Sequence, residues 1–223
     1  MKILIGTPIH VSKDYCMEQW LESVVGLQQQ TPADLFLVDN SPGLDYMEKV
    51  KDYCEKYGIK KYKIEHLELP QEMEFHEKVA RAREIIRDKM IKSDYDAWFS
   101  WESDQIIPAD ALGKLIKMMG SGNFMMVNHN NWIRQFPEIS NTDLGISLIK
   151  KECLEKYSFI LQFGTDPDMP HNWKFGDPWL KMQVLRDGGR IAEVQGVLNH
   201  VYHLDNSRPG DPLPKQAYWD REE

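Results

Sequence analysis

Two acidic residues, Glu102 and Asp104, close the aromatic run Ala97-Trp98-Phe99-Ser100-Trp101, with only Ser103 between them. In extended chain, residues two apart point to one side and stand roughly 6–7 Å apart. Two hard carboxylates at a strand end suit Mg2+ or Mn2+, above all when a diphosphate supplies further oxygens. The same residues also make sense as a solvated turn capping the helix after Pro108. Asp39 ends a second apolar run, Leu35-Phe36-Leu37-Val38. A carboxylate there can accept hydrogen bonds from a ribose hydroxyl or a base N–H, or fold into an Asx-turn with Asn40 and Ser41. Asp177, in Phe175-Gly176-Asp177-Pro178-Trp179, reads as a helix N-cap with Pro178 at the first helical position. A carboxylate fixed at a helix start is also a candidate general base for a sugar hydroxyl, and the positive helix end favours its ionised form. His200 and His203, in Asn199-His200-Val201-Tyr202-His203, would face one way on a helix and opposite ways on a strand. Their Val and Tyr neighbours favour a strand, so at most one would reach a metal, as neutral imidazole does for Mn2+. A hydrogen-bonded structural histidine is the plainer reading. Trp101, Trp173 and Trp179 flank the acidic sites, where flat apolar surfaces suit a sugar ring as well as a core.

These residues need elements to hold them. Ile3-Leu4-Ile5 reads as a buried strand ended by a loop at Gly6-Thr7-Pro8, and Leu35–Val38 as a second. Tyr62–Leu67 is a weaker strand and Ala97–Trp101 a firm one. Between them, helical spacing runs over Tyr15–Gln29 with Asp14 as cap, through Met47, Val50, Cys54 and Tyr57, and over Phe75–Ile91. Pro108 opens a further helix carrying Leu112, Leu115, Ile116 and Met119. Such alternation predicts an α/β fold with a largely parallel sheet covered on both faces. Ligands of such sheets collect at the carboxyl ends of the strands. Here those ends are Gly6-Thr7-Pro8, Asp39-Asn40-Ser41 and Glu102-Ser103-Asp104.

After about residue 120 the chain becomes richer in Asn, Pro, Asp and Trp, with a helix over Trp179–Arg186 and one or two strands within Ile191–Tyr202. The expected organisation is one domain over residues 1–205, with a sheet-and-helix half to about 120, a loop-rich half beyond it (the halves that the resemblance given below implies to be nucleotide-sugar-binding and acceptor), and a surface or flexible tail at 206–223. Lys and Arg number 27 against 35 Asp and Glu, a net charge of −8. That balance argues against a nucleic-acid partner, which needs a concentrated positive footprint. No apolar run approaches the ~20 residues of a membrane span, and the opening MKILIGTPIH does not read as a secretory signal. Cys16, Cys54 and Cys153 are odd in number and lack C-x-x-C spacing, so a cytoplasmic setting is expected. The G-x-G-x-x-G and G-x-x-x-x-G-K-[ST] fingerprints are absent.

In their order and spacing, the motifs resemble those of glycosyltransferases of the GT-A fold, family 2 type, over about residues 1–205. Ile3–Pro8 and Trp20–Val24 resemble the family's first strand and helix, and Leu35–Ser41 resembles its second strand with its nucleotide-contacting aspartate. Ala82-Arg83 sits where the family carries a small residue and an arginine near the diphosphate. Phe99–Pro108 resembles the DXD-type metal motif, with Glu102 for the first Asp, Asp104 kept and Gln105 for the last acid. Gly145–Glu152 is similar to a glycine-led strand, Phe175–Gly188 to the family's Gly-Glu-Asp helix with one acid lost, and Val201-Tyr202-His203 to its late histidine. The resemblance implies a nucleotide-sugar donor held near Thr7, Pro8, Asp39, Arg83, Glu102 and Ser103. It further implies Mn2+ or Mg2+ on Asp104 with His203 or His200, and Asp177 as general base toward a carbohydrate, glycan or other hydroxyl acceptor, with inversion. The competing readings are a catalytically impaired nucleotide- or carbohydrate-binding module, and a sugar-1-phosphate nucleotidyltransferase. The latter needs a glycine-rich loop that Gly6-Thr7-Pro8-Ile9-His10 does not supply.

Overall fold

The computed structural model describes residues 1–129, 144–160, 176–194, 197–198, 201–204 and 215–216, with 202–203 and 215–216 as backbone. Among the described residues, ten strands and six α-helices follow in chain order: β1 (Ile3–Ile9), α1 (Asp14–Gln30), β2 (Asp34–Asp39), α2 (Asp45–Lys56), β3 (Tyr62–His66), α3 (Phe75–Ile91), β4 (Ala97–Trp101), β5 (Gln105–Ile106), α4 (Ala111–Gly120), β6 (Met126–His129), β7 (Ile146–Lys150), α5 (Lys151–Lys156), α6 (Gly176–Arg186), β8 (Ile191–Val194), β9 (Tyr202–His203) and β10 (Lys215–Gln216).

Seven strands form one sheet in the order β3-β2-β1-β4-β7-β6-β8. β1 runs parallel to β2 and β4, and β2 to β3. β7 alone is reversed, antiparallel to both β4 and β6, while β8 joins β6 in parallel. The stretch after residue 120, loop-rich in sequence, thus supplies three strands of the sheet that the first half begins. Alternate strand residues feed opposite faces, as a period of two requires. Ile3, Ile5, Leu35, Leu37 and Phe99 pack with Trp20, Val24, Val50 and Leu115 of α1, α2 and α4. Leu4, Phe36, Val38 and Trp98 pack on the other face with Ile86, Met90, Cys153 and Leu180 of α3, α5 and α6. A sheet covered on both sides explains the unbroken apolar runs in the sequence.

The structure corrects three local expectations. The first strand does not stop at Gly6-Thr7-Pro8 but continues to Ile9. Beyond Gly6 it is paired with β2 only, an edge position where a proline without N–H is tolerated. Gly6 is required by space: a Cβ there would lie 2.5 Å from both Ile86 Cγ2 and Trp98 Nε1, and that indole N–H donates to the Gly6 carbonyl at 2.9 Å. Asp14 does not cap α1; it is the first helical residue and accepts from Lys49 Nζ at 2.6 Å and Tyr53 OH at 3.3 Å. Pro108 precedes its helix rather than opening it, because the Ala111 N–H turns back onto the Pro108 carbonyl at 3.0 Å.

A second, three-stranded sheet, β10-β9-β5, sits at the carboxyl end of β4. Its antiparallel register sets Gln105 opposite His203 and Ile106 opposite Tyr202, and Lys215 of the expected tail pairs with His203 from the other side. No described helix is long and apolar enough to cross a membrane.

Candidate functional site

The chain leaves β4 at Trp101 and turns at once. The Gln105 N–H donates to the Glu102 carbonyl at 3.2 Å, and the Trp101 indole to the Gln105 carbonyl at 2.8 Å. Because residues 102–104 form this turn, the extended-chain spacing expected of Glu102 and Asp104 does not apply. The two carboxylates are engaged by different cations. Asp104, 3% exposed, accepts from Lys13 Nζ on Oδ2 at 2.5 Å. Glu102 is reached by Arg83 Nη2 at 3.6 Å and by the Gln105 amide at 3.3 Å. Ser103 between them is buried.

Lys13 ends a short 3-10 turn, Val11–Lys13, that follows β1. Its N–H donates to the His10 carbonyl at 2.8 Å, while the His10 ring accepts from the Ser12 N–H at 3.1 Å. Burial holds the His10 imidazole below its ordinary range, with Asp39 opposing that shift and Lys78 adding to it. Nearby, Tyr15 OH donates to the Leu204 carbonyl at 2.7 Å, and the Leu204 N–H donates to the Asp104 carbonyl at 2.5 Å. The backbone after His203 is therefore tied both to the start of α1 and to the turn at Asp104. His203 itself is described by backbone alone, opposite Gln105, and His200 lies outside the described residues, as does Trp173.

Asp39 ends β2 fully buried. Its Oδ1 accepts from the Ser41 N–H at 3.0 Å and the Ser41 hydroxyl at 2.6 Å, the Asx-turn expected of this cluster. Its Oδ2 stands 3.1 Å from His66 Nδ1, a partner that sequence reading missed. The signal is the parallel register of β2 and β3, which sets Asp39 against His66 and becomes visible only once the strands are paired. Ser41 Oγ in turn accepts from the Val11 N–H at 2.8 Å. Thr7 is committed to the scaffold: its hydroxyl donates to the Trp101 carbonyl at 2.7 Å, locking β1 to the end of β4. Pro8, on the same strand, is half-buried.

Arg83 lies on the inward face of α3 with its guanidinium buried. Nη1 pairs with Asp177 Oδ1, Nη2 faces Glu102, and the group sits 6.0 Å above the Phe159 ring. Asp177 is not the N-cap expected from sequence, because α6 begins at Gly176 and Asp177 lies within the first turn. It reaches instead across to the Leu144 N–H, accepting on Oδ2 at 3.2 Å. Gly176 permits the approach: a Cβ there would stand 2.9 Å from the Phe159 carbonyl and 3.5 Å from Ala80 of α3. Trp179, one turn on, is buried.

The separate stretches singled out in the sequence thus form one continuous path. It runs from His66 and Asp39 through Ser41 to Val11 and Lys13, then from Asp104 and Glu102 to Arg83 and Asp177. Asp104 offers the hard oxygen that a divalent ion needs, but Lys13 is seated on it and Arg83 on Glu102. Among the described residues no three of His, Cys, Asp and Glu cluster to hold a metal. Of the expected metal ligands, Asp104 alone has a described side chain, and its Oδ2 is taken by Lys13.

No protein-family model matches the sequence, and neither does any curated protein. Solved structures do match in shape. The mannosyltransferase PcManGT from Pyrobaculum calidifontis, in complex with GDP-Man and Mn2+, superposes with a TM-score of 0.64 at 13% identity, over 88% of this chain and 55% of that one. S. aureus TarS gives 0.60 at 15% identity, over 88% and 35%, and has been solved with UDP-GlcNAc. Glucosyl-3-phosphoglycerate synthase from Mycobacterium tuberculosis, in complex with phosphoglyceric acid, gives 0.54 at 14%, over 87% and 69%. The chain spans only 55% and 35% of the first two. The architecture that these glycosyltransferases share over 87–88% of this chain is the GT-A fold, and this chain has it.

Proposed function

We propose that the chain works as a glycosyltransferase, moving a sugar from a nucleotide-diphosphate-sugar to an acceptor hydroxyl with inversion at the anomeric carbon. The observation that carries this reading is the path of contacts from Asp39 to Asp177 along the carboxyl edge of the sheet. That edge is where open α/β sheets take their ligands. Asp39 and His66 form the nucleoside corner, and Lys13 and Arg83 bring positive charge to the diphosphate.

Transfer needs a base on the acceptor and charge stabilisation on the leaving group. Asp177 takes the proton of the acceptor hydroxyl, whose oxygen bonds to the anomeric carbon as the bond to the diphosphate breaks. Arg83 and the Leu144 N–H fix the direction of the Asp177 carboxylate. The family resemblance brings with it a divalent ion, and one structural neighbour is a complex with Mn2+. Asp104 with His203 or His200 would be its holders. The ammonium on Asp104 stands against that arrangement here.

The test is thermal-shift screening of nucleoside diphosphates and their sugars, with and without Mn2+, followed by assay of free nucleotide released from whichever sugar nucleotide stabilises the fold. Stabilisation together with acceptor-dependent release is the expected outcome. Stabilisation without release under any acceptor would favour a binding module, and no stabilisation by any nucleotide would overturn the reading.

A further inference from the structure

We propose that Lys13 is the resident cation of the Asp104 corner, standing where the resemblance would place a divalent ion, and that its ammonium binds the donor's diphosphate directly. The inference rests on the reading of this edge as a nucleotide-sugar site. Its basis is the asymmetry of the pair: Asp104 is 3% exposed and Lys13 32% exposed, at 2.5 Å. The carboxylate is buried and the lysine side chain is the more open partner. An exposed pair such as Lys63 with Glu65, at 59% and 42%, is screened on both sides and worth little; this one is not of that kind.

Lys13 is also held in place. Its turn is closed by the His10 carbonyl, its own carbonyl accepts from Cys16 Sγ at 3.0 Å, and its ammonium lies 6.0 Å from the Tyr15 ring. Tyr15 grips Leu204, and Leu204 grips the Asp104 backbone. A divalent ion at Asp104 would have to expel a cation that the fold has already positioned there, and separating a buried carboxylate from its partner is costly. A compact ammonium is by contrast a competent phosphate ligand. Asp104 then acts as a positioning residue for Lys13 rather than as a metal ligand.

The experiment measures nucleoside diphosphate binding by calorimetry in EDTA and in Mn2+, for the full chain and for Lys13→Met, Lys13→Arg and Asp104→Asn, with circular dichroism as the check on folding. The panel holds UDP, GDP, ADP, CDP and dTDP. The full chain should bind one of them equally in EDTA and Mn2+. Lys13→Met should lose about tenfold in EDTA, or ~1.4 kcal/mol, and regain much of it in Mn2+, because Asp104 is relieved of its ammonium. Lys13→Arg should retain metal-independent binding, and Asp104→Asn should weaken binding without any rescue by Mn2+. Binding by the full chain that rises tenfold or so with Mn2+, or indifference of Lys13→Met in EDTA, would overturn the role of Lys13 and leave the nucleotide-sugar reading standing. No binding by the full chain in either buffer would overturn both.

Discussion

At two corners of the site a carboxylate meets a cation, in opposite senses. In the Asp104 corner the acid is buried and Lys13 is the more open partner; in the Asp177 corner Arg83 is buried, at 6% exposed, and the acid is the more open partner at 13%. A buried charge must be matched, so in each pair the more buried member is held by the more open one. The first corner offers a positive charge, suited to phosphate. The second offers an anionic oxygen, suited to taking a proton. Under the proposed function the two ion pairs, alike in chemistry, take different tasks that follow the difference in their burial.

The strongest way to break this comparison is Asp177→Asn, which keeps shape and the Leu144 contact but removes the base. Sugar transfer should fall by about 10²–10⁴-fold, the usual contribution of a positioned base, while nucleotide affinity holds. Transfer that survives in a folded variant ends the base assignment and points to a retaining route. Next, Arg83→Met takes the guanidinium from the buried side of Asp177 and should cost about 3–5 kcal/mol in urea unfolding. Combining it with Asp177→Asn should recover part of that loss, and strict additivity would deny the pairing. A control group in neither corner is His129, whose burial lowers it to about 4. Since its folded value lies below its ordinary 6.5, the unfolded chain binds the extra proton first. Stability should therefore fall as pH drops from about 6.5 toward 4, by up to about 3 kcal/mol. His129→Gln should flatten that slope, leaving the acid response of the two corners on its own. The smallest effect expected is Gly176→Ala, which pushes a methyl onto the Phe159 carbonyl. It should destabilise by roughly 1–3 kcal/mol and slow turnover more than it weakens nucleotide binding, because only the Asp177 corner is displaced.

Much of the scaffold could be read from the chain. α3 occupies the span that its periodicity predicts, Phe75–Ile91, because its buried face repeats every three to four residues. β2 and β4 are short apolar runs with turn residues after them. What failed were places where tertiary context overrides local preference. Gly6-Thr7-Pro8 looks like a loop but is drawn into strand by pairing with β2 and by the Trp98 indole packed over Gly6. Glu102 and Asp104 follow a strand yet fall in a turn, so their spacing misleads. Lys13 and His66 gave no signal at all. A lone lysine in a polar loop has no pattern, and His66 matters only through a register set by two strands and an intervening helix.

The link from the Leu204 N–H to the Asp104 carbonyl ties together positions about a hundred residues apart. Closing so long a loop is entropically expensive and is repaid only after the central sheet exists. The clasp over the Lys13 corner should thus be assembled late in folding and be the first part to open. Amide hydrogen exchange at Leu204 ought to run well ahead of exchange at Ile5 or Leu37 in the sheet interior, reporting a seam that breathes while the rest of the protein holds.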